Sequence, residues 1–273
     1  MLSGAELQGE ARTRYAQIQD RMAELAQKFS ENALDSTDAY AHYAGESEVE
    51  GIPGDALEAA AEGAKADGRE GYKFTLKLPS YLPVMQYARS SALRETLYRA
   101  YATRASELAE GDAVKFDNTA IVREILALRH EEAQLLGYPD FATVSVVPKM
   151  AESPEQVITF LRDLATRARP YALQDLADLR EFAAQELGLP DPQPWDWPYV
   201  GEKLKEARYS FSDQEVKLYF PAPKVLAGLF KIVETLFGVA IRRDQAPVWH
   251  PSVEFYRIER CLLYTSPSPR DRG

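Results

Sequence analysis

The sequence predicts a mainly α protein with a few short strands. Three observations carry this reading. Apolar side chains recur at helical spacing over long segments. Glycines stand where those segments stop. A helix-start signature, Ser153-Pro154-Glu155-Gln156, precedes one of the longest of them.

The elements follow in order. Residues 7–33 carry Ile18, Met22, Leu25 and Phe29 on one helical stripe. Glycines at 51 and 54 break the chain, and 55–67 is an Ala-rich helix. Residues 71–78 alternate apolar and polar, which predicts a strand ended by Pro79. A helix from about 82 to 107 places Leu93, Leu97, Tyr98 and Tyr101 on one face. Asp117 or Asn118 can cap a helix over 117–136, with Ile121, Ile125 and Leu128 buried and Gly137 as its stop. The helix begun at Ser153 passes Pro170, where a kink can form, and continues through Leu173, Leu176, Leu179 and Phe182 to Gly188. Residues 190–198, rich in Pro and Trp, form a loop. Ser212-Asp213-Gln214-Glu215 is a second capping box. An apolar helix over 225–237 is closed by Gly238, and 253–258 alternates as a strand. No repeat near 34 or 40 residues is present, which argues against a solenoid.

Composition narrows the function. Hydrophobic residues make up 45% of the chain, enough for a real core. The 42 acidic and 32 basic residues give a net charge of −10, and no basic stripe appears. That disfavours nucleic acid and anionic membrane surfaces. No apolar run reaches the ~20 residues of a membrane span. The first residues show no apolar signal region, and the single cysteine, Cys261, allows no internal disulfide. A cytoplasmic setting is expected.

The chemistry-bearing residues are few. A zincin helix needs two histidines one turn apart, with a glutamate beside the first. His130-Glu131-Glu132-Ala133-Gln134 has the first histidine and the glutamate, but Gln134 stands where the second histidine must be. The expected role is a helix surface with a polar, partly buried histidine. His42 and His250 lie far away in sequence, and His250, between Trp249 and Pro251, reads as structural. No glycine-rich phosphate loop and no Ser or Cys nucleophile motif stands out. Among these residues no catalytic, cofactor-binding or metal-binding residue is assigned. They support a large helical protein without a complete active site, or a non-catalytic helical scaffold or peptide-binding module.

Several segments together resemble the oligopeptidase A branch of the thimet oligopeptidase-like zinc metallopeptidases. They are Leu34-Asp35-Ser36-Thr37, Leu78-Pro79-Ser80-Tyr81-Leu82-Pro83-Val84-Met85 and Tyr98-Arg99-Ala100-Tyr101-Ala102-Thr103-Arg104-Ala105-Ser106. Further along come Ile125 to Glu131 with Leu135-Leu136-Gly137-Tyr138, Lys149-Met150-Ala151, Gln193-Pro194-Trp195-Asp196 and Val248-Trp249-His250-Pro251. They cover nearly all of residues 5–260 in the family's order. The resemblance implies the multi-helix lobe of a two-lobed zincin-type oligopeptidase, whose deep channel admits short peptides. It implies one zinc ion, held by a His-Glu-x-x-His helix and a later Glu beyond the matched segment. It also implies that the His130 helix is not the zinc helix.

Three regions are expected: an N-terminal helical channel wall or lid over 1–100, the start of a peptidase domain over 101–260, and a non-native tail over 261–273. The tail, CLLYTSPSPRD onward, resembles the translation of a transposon-end adapter. The chain is therefore expected to be an inactive fragment that binds no zinc.

Overall fold

The computed structural model describes residues 3–210 and 213–260. They form two units, divided between Tyr209 and Ser210. The architecture is mainly α, as the sequence predicts, with two small antiparallel sheets.

The first unit begins with α1 (Gly9–Asp38). Its buried residues are Ile18, Leu25, Asn32 and Ser36, with Met22 packed beside them. Phe29 departs from the expected stripe and is exposed. The stripe faces α5 (Thr119–Leu135), and Asn32, one turn further on, takes the inward place. There its amide donates to Asn118 Oδ1 at 2.9 Å, while Asn118 Nδ2 donates to the Phe29 carbonyl at 3.1 Å. Leu128, Ile121 and Ile125 complete this seam.

Strand β1 (His42–Ala44) pairs with β2 (Tyr72–Phe74), His42 opposite Phe74. Helix α2 (Gly54–Ala66) lies between them in sequence. The predicted strand over 71–78 is shorter than expected, because Leu78 already starts α3 (Leu78–Tyr87). Pro79 occupies the first turn, where a missing N–H costs nothing. The single helix expected over 82–107 is instead two, α3 and α4 (Ser91–Thr103). Ala88 is extended, and the Ser90 hydroxyl caps α4 by accepting from the Leu93 N–H at 3.2 Å. Leu93 and Leu97 are buried with Phe74, Leu76, Val84 and Met85 in the main core.

A loop and a 3-10 turn (Gly111–Phe116) lead to α5, which Gly137 ends at φ +78°. Helix α6 (Phe141–Val146) is capped by Asp140. Helix α7 (Pro154–Glu186) runs unbroken through Pro170. Ser153 caps it as expected, although Gln156 Oε1 returns to the Glu152 N–H at 2.7 Å, one residue earlier than a capping box requires. Helix α8 (Trp197–Tyr209) packs on α3 and α7, and takes in the last residues of the predicted 190–198 loop.

The second unit holds α9 (Asp213–Lys217), α10 (Ala222–Phe237), β3 (Val239–Asp244) and β4 (Phe255–Arg260). Gly238 closes α10 in the left-handed conformation, as expected. Strand β3 was not expected; it pairs antiparallel with β4, Val239 opposite Arg260. Ser212, which the second capping box needs, lies outside the described residues. So do Cys261 and the tail expectation for 261–273.

Candidate functional site

The first unit holds a concavity of about 720 Å³. Its wall comes from three places. The C-terminal end of α1 and the turn after it give Ser36 and Tyr40. One face of α4 gives Thr96, Arg99, Ala100 and Thr103. The connection from Arg104 to Phe116 gives Leu108, Glu110, Asp112 and Lys115. These elements meet because α1 is held against α5 and the 3-10 turn, while α4 is fixed by its buried leucines.

The charges lining this cavity are unequal. Arg99 is engaged: its Nε donates to Glu95 Oε1 at 2.8 Å, and its guanidinium lies 5.3 Å from the Trp195 ring centre. Arg104 is half-buried and lies 3.7 Å over the Tyr101 ring, with no carboxylate beside it among the described residues. Tyr101 also stacks on Tyr81 at 4.4 Å between centroids. Burial pushes the Tyr81 phenol up to about 12, helped by Tyr101 and Tyr98 and opposed by Arg104. Burial likewise pushes the Tyr40 phenol up. Glu110, Asp112 and Lys115 are exposed.

The other half of α4 carries a fully buried ion pair. Arg94 Nη2 donates to Asp196 Oδ1 at 2.6 Å, and both side chains are at most 3% exposed. Arg94 Nη1 donates to the Ala88 carbonyl and, at 3.2 Å, to the Arg89 carbonyl. These are the groups freed where α3 stops. Asp196 also accepts from Ser91 Oγ at 2.8 Å and from the Gln193 N–H at 2.9 Å. The Trp195 indole donates to Ser91 Oγ at 3.0 Å, and the Arg94 guanidinium lies 4.4 Å over Tyr199. The pair locks the α3–α4 break to the start of α8.

The histidines are dispersed. His130 is exposed rather than partly buried, because α5 turns that face to solvent. Its neighbour Glu131 points to α1, where Arg14 Nε and Nη2 donate to its two oxygens at 2.6 and 2.7 Å. That pairing holds the Glu131 carboxyl below its ordinary range. Gln134 Nε2 donates to the Tyr138 and Pro139 carbonyls. The segment therefore fastens helices. His42 sits in β1 with Nε2 buried and unpartnered. His250 belongs to the second unit, and its Nδ1 accepts from the Ser252 N–H at 3.2 Å in the turn before β4. Among the described residues no group of three or more His, Cys, Asp and Glu side chains could hold a metal ion. They do not fit the zinc that the resemblance implies.

Arg94, Arg104 and the cavity were not singled out from the sequence. Arg94 left one signal: it sits between Leu93 and Leu97 on a helix whose apolar face is buried.

Residues 84–264 match Peptidase family M3. The chain is 47% identical over 259 residues to oligopeptidase A of Salmonella typhimurium, covering 94% of this chain and 38% of that protein. It is 40% identical over 271 residues to the organellar oligopeptidase A of Arabidopsis thaliana, covering 95% and 33%. It is 29% identical over 268 residues to the dipeptidyl carboxypeptidase of Escherichia coli, covering 94% and 38%. The chain thus spans well under half the length of these relatives.

Proposed function

Because the chain belongs to peptidase family M3, we propose that it is part of a zinc-dependent oligopeptidase that hydrolyses short peptides in a deep channel. The observation that carries this reading is the 47% identity to oligopeptidase A, sustained over 94% of the chain. In this reading residues 1–100 form channel wall or lid, and residues 101–260 begin the peptidase domain. Their role is to shape and limit access. The zinc ligands and the general base belong to the part of the relatives' length that this chain does not span. The chain alone neither binds zinc stoichiometrically nor cleaves peptides.

Two observations support the placement. Among the described residues no helix is long and apolar enough to cross a membrane. The net charge of −10 is poorly suited to nucleic acid. A cytoplasmic oligopeptidase acting on peptides fits both. The test is to extend the reading frame past the Arg260 codon in the source genome and express the longer product. Chelator-sensitive cleavage of a quenched-fluorescent peptide by that product, and none by the 273-residue chain, is the expected result. Chelator-sensitive turnover by the shorter chain would sink the proposal that it is inactive.

A further inference from the structure

We propose that the 720 Å³ cavity bounded by α1, α4 and the Arg104-to-Phe116 connection binds the carboxylate of a short peptide, with Arg104 as the anchor. The proposal rests on the reading of the whole protein as a peptidase, and adds to it a second place where peptide is held.

Arg104 lacks an oxygen partner among the described residues. A guanidinium offers five donors in a rigid fork that matches a carboxylate. Every other arginine described near the cavity has its oxygen partner: Arg99 has Glu95, and Arg94 has Asp196 and two carbonyls. Arg104 has only the Tyr101 ring beneath it. It is half-buried, whereas the other unpaired lining charges, Glu110, Asp112 and Lys115, face solvent. A cation partly removed from water and resting on an aromatic face is stabilised by the ring but leaves its N–H edge unused. That edge is preorganised, because Tyr101 is itself fixed by stacking on Tyr81.

The backbone adds to this. Ala105 sits at φ +52°, a left-handed conformation that costs a residue with a Cβ. It is held there by its carbonyl, which accepts from the Asn118 N–H at 3.1 Å. The strained residue directly follows Arg104 and fixes the point at which the chain leaves α4. The rest of the lining suits a peptide. Leu108 and Phe116 offer apolar surface, and the volume lies within the roughly 300–1,000 Å³ of small-ligand sites. The exposed acids Glu110 and Asp112 disfavour a bare multivalent anion and leave a singly charged carboxylate as the better match.

The test uses the 273-residue chain and three probes, followed by ligand-detected and protein-detected NMR. The probes are acetyl-Ala-Ala-Phe with a free carboxylate, its C-terminal amide, and acetyl-Ala-Glu-Phe-amide. The free acid is expected to bind about 10- to 100-fold more tightly than its amide. Arg104→Gln should remove that difference, Arg104→Lys should restore only part of it, and Arg162→Gln on the exposed face of α7 should leave it intact. Binding of the Glu-containing amide would assign the carboxylate to a side chain; its failure would assign it to the C-terminus. Equal binding of acid and amide, or no binding of either acid, overturns the proposal. The acid–amide comparison on the unaltered chain stands even if Arg104→Gln does not fold. Failure here leaves peptide cleavage by the longer protein untouched, and a longer protein that cleaves nothing leaves this binding result as it is.

Discussion

Arg94 is a charged residue buried completely in the first unit. A charge buried to this depth is tolerable only with its partners in place. Here they are Asp196, two carbonyls at a helix break and the Tyr199 ring. Arg94→Met would leave Asp196 buried and uncompensated. A loss of about 3–5 kcal/mol is expected from the urea midpoint. Removing both charges in Arg94→Met with Asp196→Ala should cost less than the sum of the single changes, which a double-mutant cycle would read directly. The surface pairs behave differently. Arg14 and Arg21 hold Glu131 and Glu124 below the ordinary carboxylate range. A carboxylate with a lowered folded pKa adds stability above its unfolded value of about 4.3, and that stability is lost as pH falls through the folded value. The melting temperature should therefore fall below about pH 4. Arg14→Gln with Arg21→Gln should flatten part of that fall and reduce the sensitivity to salt at pH 7.

At the scale of elements, a glycine fixes one close approach. Gly71, at φ +88°, precedes β2, and a Cβ there would lie 2.5 Å from the Ala44 carbonyl oxygen. Gly71→Ala should destabilise the β1–β2 sheet by at least about 1 kcal/mol, measured by denaturant unfolding, because backbone and not a flexible side chain must give way. Most helices were legible from the sequence for a simple reason. Ile18, Leu25, Leu93 and Leu97 bury one face at helical spacing, and Ser153, Gly137 and Gly238 mark ends by local chemistry. What escaped was non-local. The break at 88–90 is stabilised by Arg94 and, through it, by Asp196, more than a hundred residues later in the chain. Strand β3 carries two arginines at its centre, so its alternation is hidden, and it is defined by pairing with β4. The cavity around Arg104 depends on how α1 meets α4, which no local pattern encodes. The family resemblance was legible because it rested on many short segments in order.

The whole molecule leaves much apolar surface in water. Helix α7 buries only Ala183, and Ile158, Phe160, Leu161 and Leu164 are all exposed. Helix α10 buries no residue fully, although Phe230 meets Tyr256 edge-on at 4.7 Å; Val225, Leu229, Ile232, Leu236 and Phe237 are exposed. Surfaces of this kind drive association. Sedimentation of the 273-residue chain should show concentration-dependent self-association together with binding of a hydrophobic dye, and a monodisperse monomer with a sharp melt would contradict this. The Arg94–Asp196 pair has one more consequence, in the time order of synthesis. The two residues are 102 positions apart. At ribosomal rates of about 5–20 residues per second, Arg94 is made roughly 5–20 s before its partner. During that interval the α3–α4 break has no counter-charge, and the core around Leu93 and Leu97 cannot close in its final form. A nascent chain stalled before Asp196 emerges should thus remain sensitive to protease across residues 78–103, and should become resistant only once α8 has left the tunnel.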